Sequence, residues 1–174
     1  MKPIDSKTDL LTKILVIRLE YFLYSLGFFI PFFIGHPQWL TGTAVNCLLF
    51  LAAQRISFKK VIPLTILPSL AAVLNGILFG PATVFLYYFL PFIWLGNLIL
   101  VWVFRKIKDK SYFLAVFLSS AAKFFLLFSS ANLYFSMRVV PKIFLTAMGS
   151  FQILTSLAGG ALSYLIVKKI NDRS

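Results

Sequence analysis

Arg55-Ile56-Ser57-Phe58-Lys59-Lys60 is followed by an uncharged run from Val61 to Phe104, and then by Arg105-Lys106-Ile107-Lys108-Asp109-Lys110. A run of that length without Asp, Glu, Lys or Arg is long enough to cross a bilayer twice, because one helical span takes about 20 apolar residues. The two basic stretches at its ends therefore lie on the same side. The pattern continues outward in both directions. Fourteen of the seventeen Lys and Arg residues fall in four patches: Lys2 to Arg18, Arg55 to Lys60, Arg105 to Lys110, and Lys168 to Arg173. Basic residues in short loops are retained on the cytoplasmic side. Four such patches separated by three round trips predict an all-α integral membrane bundle of six transmembrane helices, with both termini cytoplasmic. The expected helices span about 14–34, 39–53, 61–79, 82–104, 111–128 and 143–167, in a single transmembrane domain covering 1–174.

Composition agrees with this. The chain has 174 residues, of which 60% are hydrophobic and 13% charged. A soluble domain carries about 25% charged residues. Mean hydropathy is +0.90. Six spans leave only short loops and tails, with no room for a soluble catalytic or nucleotide-binding domain. The net charge of +12 is divided among four membrane edges rather than gathered on one face. It therefore points to anionic headgroups and not to nucleic acid. The apolar run Ile14 to Gly35 is about the length of a span, and no small-residue cleavage site follows it, so it reads as a retained helix and not a signal peptide. The single cysteine, Cys47, and the single histidine, His36, exclude an internal disulfide and a Cys- or His-based metal site. No nucleotide-binding or hydrolase motif is present, and no cofactor or enzymatic activity is expected.

Polar residues within the spans are costly and mark function or helix contacts. At about 1.5 Å of rise per residue, Asn46, Asn75, Lys123 and Gln152 fall in the outer half of the membrane, together with the internal proline Pro91. Glu20 and Asn97 fall in a second layer nearer the cytoplasm. Internal prolines (Pro63, Pro68 and Pro91) free backbone carbonyls, which must then face protein or water. The outer layer predicts a substrate pocket open to the outside, with Lys123 as a cation for an anionic group. Asn46, Gln152, Asn97, Asn75 and Pro91 are further wall residues. His36, Gln38 and Trp39, at the outer rim, are candidate gating residues, and the segments joining helices 1 to 2 and 5 to 6 are candidate lids. Two structural readings of Lys123 stand beside this one: an ion pair with Glu20, or a cap on the carbonyl freed by Pro91. Glu20 has Arg18 or a basic residue on another helix as candidate partners. Arg138 and Lys142 run against the inside rule and single out the segment Ser129 to Lys142, expected to be the longest outer loop. Gly149, Gln152, Ser156, Gly160 and Ser163 form one small-residue face, suited to close packing within the bundle or to a dimer contact.

Four segments occur in order: Pro37-Gln38-Trp39-Leu40-Thr41-Gly42-Thr43-Ala44-Val45-Asn46, Leu90-Pro91-Phe92-Ile93-Trp94-Leu95-Gly96-Asn97, Ala121-Ala122-Lys123-Phe124, and Gln152-Ile153-Leu154-Thr155-Ser156-Leu157-Ala158-Gly159-Gly160. Together they resemble small six-helix bacterial membrane proteins related to the substrate-binding S components of energy-coupling factor transporters. The resemblance implies a location in the bacterial cytoplasmic (inner) membrane. It also implies capture of a vitamin or other small nutrient from outside, and partnership with a transmembrane coupling subunit and two ATPases. It places the motif positions on Asn46, Pro91, Asn97, Lys123 and Gln152. The first helix departs from the pattern. It has no alanine, and only Ser25 and Gly27 as small residues, where S components often dock through alanines. A structural or assembly subunit, and a solitary carrier using Glu20 as its proton site, are the alternative functions.

Overall fold

A computed structural model describes residues 6–172, and the side chains of residues 6–13 and 16 are not among those described. Lys2 and Arg173, at the ends of the first and last basic patches, lie outside the described residues. The described chain is helical. Its elements are α1 (Ser6–Phe33), α2 (Gln38–Arg55), α3 (Phe58–Asn75), α4 (Leu86–Ile107), α5 (Tyr112–Ser136), the one-turn α6 (Ile143–Ala147) and α7 (Ser150–Asn171). Between α3 and α4 lie an extended stretch, Leu78–Pro81, and a 3₁₀ turn, Ala82–Phe85. Among the described residues, four segments are long and apolar enough to cross a membrane by length and composition: Phe58–Asn75, Gly80–Ile107, Tyr112–Ser136 and Ile143–Asn171.

α1 begins at Ser6 rather than about Ile14, α4 at Leu86 rather than about Ala82, and α7 runs on to Asn171 rather than Val167; three other departures have a visible cause. α3 stops at Asn75 rather than Phe79, because Gly76 takes a left-handed conformation (φ 75°) that closes the helix. α5 continues to Ser136, eight residues past its expected end at Phe128, so the connection to α6 is much shorter than the loop read from the sequence. Ser130 and Ser136 donate back to carbonyls three residues earlier, and Asn132 donates to Phe128, so these polar side chains are satisfied within the helix. Tyr134 also packs edge-on against Phe89 and Phe92 of α4. The last predicted helix is broken. Gly149 has φ −100° and ψ −111°, and a Cβ there would come within 2.3 Å of the Leu145 carbonyl oxygen.

Packing is only partly sequential. α4 lies mainly against α5, α2 against α7, and α1 against α3. α2 and α7 run parallel and in register, with Asn46 bonded to Thr155 and Gln54 to Ser163, just over two helical turns apart on each helix. The same offset carries Gln38 to the Ala147 carbonyl of α6, on the other side of the break. Gly159 permits this approach, since a Cβ there would lie 2.7 Å from the Cys47 backbone nitrogen. Gly160 does the same toward α5, where Val116 occupies the space of its missing Cβ, and its carbonyl accepts from the Tyr112 hydroxyl at 2.8 Å. The small-residue face of α7 is thus spent inside the bundle.

Basic residues at the Arg55 and Arg105 end also hold backbone. Arg105 donates through Nε to the Ala53 carbonyl at 2.8 Å and through Nη2 to the Ile56 carbonyl. These are among the carbonyls that the end of α2 leaves without helical partners, and the cation complements the negative end of the helix dipole. Two apolar cores stack along the bundle. One contains Phe50, Leu64, Leu100, Phe104 and Val116, and the other Phe89, Leu127, Ala131, Phe144 and Met148. Along α3, α4 and α5 most of the buried polar residues fall between these cores: Thr65 and Ser69, Asn97, and Ser119, Ser120 and Lys123, with Ser130 of α5 the exception.

Gly159→Ala is expected to destabilise the protein by about 1–3 kcal/mol despite alanine's better helix propensity, because the colliding atoms are backbone. Gly96→Ala, where the added Cβ would meet Lys123 Cγ at 3.4 Å, should cost much less. Thermal unfolding of both variants in the same detergent checks the contrast.

Candidate functional site

The polar layer lines a partly open cavity of about 90 Å³. Gln38, Asn46, Asn97, Lys123 and Gln152 all line it, in a wall that is otherwise mostly apolar. Gln38 opens α2, Leu78 and Phe79 belong to the connection into α4, and Met148 sits in the break before α7. The roof is therefore built from the ends opposite Arg55 and Arg105.

Lys123 is the centre of the site. It is 3% exposed, and its Nζ donates to Asn46 Oδ1 at 2.8 Å. Asn46 Nδ2 in turn donates to Thr155 Oγ1 at 3.3 Å, and Thr155 donates to the Phe151 carbonyl at 2.6 Å. One chain of hydrogen bonds thus joins α5, α2 and α7. An ammonium has three donors, and among the described residues only this one bond to Lys123 is made. No Asp or Glu among the described residues lines the cavity. The Glu20 carboxylate is instead bonded to Lys60 Nζ at 2.8 Å, away from the cavity, so the structure makes neither the Glu20–Lys123 ion pair nor a Glu20–Arg18 pair.

Asn97 brings the second polar group. Pro68 removes a rung from the α3 ladder. Beside that gap, Asn97 Nδ2 donates to the Thr65 carbonyl at 2.9 Å. Asn97 Oδ1 is buried and has no hydrogen-bond partner among the described residues. Such an acceptor is rare in folded proteins, because leaving it unpaired costs about 1–3 kcal/mol. Spacing along the chain had put Asn97 in a different layer from Lys123. Folded, they share one cavity, because helical side chains lean toward the N-terminus of their own helix. The N-terminus of α5 is at the Asn97 side, so the lysine stem reaches back over Gly96 toward that level.

The remaining expected site residues are elsewhere. Pro91 is exposed on the outer face of α4, and the prolines that line the cavity are Pro31 and Pro68. Asn75 binds the end of α1 by donating to the Phe32 carbonyl, and it accepts from the Ile77 amide. His36 and Trp39 are exposed, whereas Gln38 is half-buried and enters the wall. Three features escaped sequence reading. Ser69 lines the cavity and accepts from Trp94 Nε1 at 2.8 Å. Thr155 stands one helical turn from Gln152, a spacing that could have flagged it. The Gly149 break had a signal too, in the pair Gly149-Ser150, which commonly marks a turn or breaker. Gln38 and Gln152, both in the cavity wall, donate to the Ala147 carbonyl at 3.3 Å, so they tie the end of α6 to α2 and α7 beside the cavity.

No family model, no curated protein and no solved structure matches this chain.

Asn46→Leu should cost about 1–3 kcal/mol, because it strips the ammonium of its bond while leaving it buried. The double variant Asn46→Leu/Lys123→Met should recover most of that loss. Unfolding free energies of the two singles and the double, combined as a cycle, measure the coupling.

Proposed function

We propose that this protein is the substrate-binding membrane subunit of an uptake transporter for a small nutrient, similar to the S components of energy-coupling factor systems. The observation that carries this reading is Lys123: a cation 3% exposed, on a cavity with no carboxylate among its described lining residues. A buried charge without a counter-charge is expensive, and an anionic ligand supplies what the bundle does not. In this reading α1 and α2 join the four apolar segments to make six spans. The basic patches support an orientation with both termini in the cytoplasm; in this reading the cell is bacterial and the Gln38 end of the cavity faces outward.

At about 90 Å³ the cavity is well below the roughly 300–1,000 Å³ of sites for drug-sized ligands. Capture of a vitamin-sized molecule would therefore require the roof to lift. The two glutamine bonds to Ala147 are the contacts that lifting α6 would break. Transport against a gradient then draws on a transmembrane coupling subunit and two ATPases, since these 174 residues hold no nucleotide-binding domain.

One observation favours a second reading. The chain Lys123–Asn46–Thr155 links three helices, which is what a purely structural role in a larger membrane assembly would also use.

Gentle detergent pull-down of the tagged protein from its own host, followed by mass spectrometry, separates the two. Two ATPases and a coupling membrane protein are expected. Recovery of a different membrane complex would establish the assembly role, and recovery of the protein alone, beside an intact control transporter, would count against both.

In a Cys47→Ser background, single cysteines at Lys59 and Lys108 should label only from the cytoplasmic side. Cysteines at His36 and Arg138 should label from outside. The opposite pattern would invert the proposed orientation.

A further inference from the structure

α2 has a second face, which shares no lining residue with the Lys123 cavity. There a groove of about 610 Å³ opens between α1 and α7. Its floor is a stripe of α2 from Ala44 to Arg55, with the three- and four-residue spacing of a single helix face. One wall is α1 from Leu19 to Ile30, at the same spacing, and the other is α7 from Leu162 to Ile170. Among the described lining residues Arg55 alone is charged, and the rest are apolar.

We propose that this groove holds one anionic phospholipid, with a fatty chain lying along α2 and its phosphate on Arg55. Length, volume and charge each support this. From Ala44 to Arg55 the floor is about 16 Å long at 1.5 Å of rise per residue, close to half of the roughly 30 Å hydrocarbon core. The groove thus has the length of one leaflet. The bonds from Asn46 to Thr155 and from Gln54 to Ser163 hold α2 at the depth of α7, which belongs to one of the four apolar segments. Volume selects a chain over a helix. Benzene in about 150 Å³ corresponds to roughly 25 Å³ per carbon. On that scale about 610 Å³ takes one chain of about 16–18 carbons but not two. A helix of about 10 Å diameter over the same length would occupy about 1,300 Å³.

Charge selects the headgroup. Arg55 is exposed, and its bond among the described residues, from Nη2 to Asn171 Oδ1 at 3.3 Å, uses one of a guanidinium's five donors. Arg105, by contrast, is committed to the Ala53 and Ile56 carbonyls. Arg18 lies one turn beyond Phe22 of the α1 wall, and Lys169 lies three residues beyond Ile166 of the α7 wall. Each therefore continues its wall toward the Arg55 end, and both are exposed. Of the described acids at this end, Glu20 is bonded to Lys60 at 2.8 Å, which leaves Asp172 against three cations. A guanidinium takes a phosphate through two parallel N–H bonds, and basic pockets between helices at a membrane edge hold anionic headgroups.

The test is native mass spectrometry of the full chain, stripped of lipid in detergent and offered three probes. These are phosphatidylglycerol, phosphatidylcholine with the same fatty chains, and glycerol 3-phosphate. One phosphatidylglycerol per chain is expected, retained at least about fivefold over phosphatidylcholine and not displaced by glycerol phosphate. Arg55→Gln should lower that ratio. Leu162→Trp, which puts bulk into the groove, should lower retention of both lipids. Leu165→Trp, at an exposed position of α7 outside the groove, should not. Should Leu162→Trp fail to fold, the ranking of the three probes on the natural chain still decides.

Equal retention of the two lipids would overturn the proposal and leave the groove an ordinary lipid-facing surface. Displacement of the lipid by glycerol phosphate would make Arg55 part of a site for soluble phosphates instead. A dimer in the same spectra, split by Leu162→Trp, would assign the groove to a second copy of the chain. The uptake reading stands or falls separately, because it rests on the Lys123 cavity.

Discussion

The bond from Lys123 to Asn46 fixes more of this molecule than any other contact. Inside an apolar bundle an ammonium must be met by protein, by water or by a ligand. Here Asn46 meets it, and Asn46 can do so because Thr155 orients its amide from the other side. That chain places α5, α2 and α7 around one point. The apolar cores above and below it have the freedom of any hydrophobic contact, which is strong and non-directional. The polar layer supplies direction. A shift of one residue along α2 would turn Asn46 away from both partners, by about 100° around the helix.

Close approach is the second constraint, and it serves the first. A 3.3 Å hydrogen bond between α2 and α7 side chains as short as Asn and Thr requires their backbones to come near one another. Gly159, and Gly42 facing Thr155, remove the Cβ atoms that would hold them apart. The same register carries Gln54 to Ser163 at one end and Gln38 to Ala147 at the other. The cavity, the parallel helix pair and the glutamine tethers at Ala147 are thus consequences of one packing arrangement. The broken helix contributes as well, since the Gly149 break leaves α6 as a separate turn whose last carbonyl receives both glutamines. Discontinuous helices beside a buried charge recur in transporter sites, where the break exposes backbone to a ligand.

Much of the site was legible because depth in a membrane is a one-dimensional quantity. Counting from the basic edges placed Asn46, Lys123 and Gln152 at one level, and all three line the cavity. The count misplaced Asn97 because it located Cα atoms, while the lysine acts through an ammonium carried back along its helix. It gave Pro91 a role because a proline's effect on its own helix is local, whereas the direction in which a kinked helix faces is not. Asn75 sat near the right level but beside α1, whose end it caps. The helix ends at Asn75, Ser136 and Gly149 were missed for a related reason. Ser and Asn signal a break only where their side chains find no partner along the helix, and Ser130, Asn132 and Ser136 donate to carbonyls of α5 itself.

The sequence by itself determined the class of molecule, the sign of the charge at each end of its helices, and which rare polar residues needed explaining. Those properties depend on composition and on position along the chain, which folding does not change. Only the tertiary structure decided which polar residues meet. It gave Glu20 to Lys60, Asn46 to Lys123 and Asn75 to the end of α1, and it left Asn97 Oδ1 buried with no hydrogen-bond partner among the described residues. Partner choice depends on helix rotation and neighbour order. Here the neighbours are α2 with α7 and α1 with α3, pairings between elements far apart in the chain that no local pattern encodes.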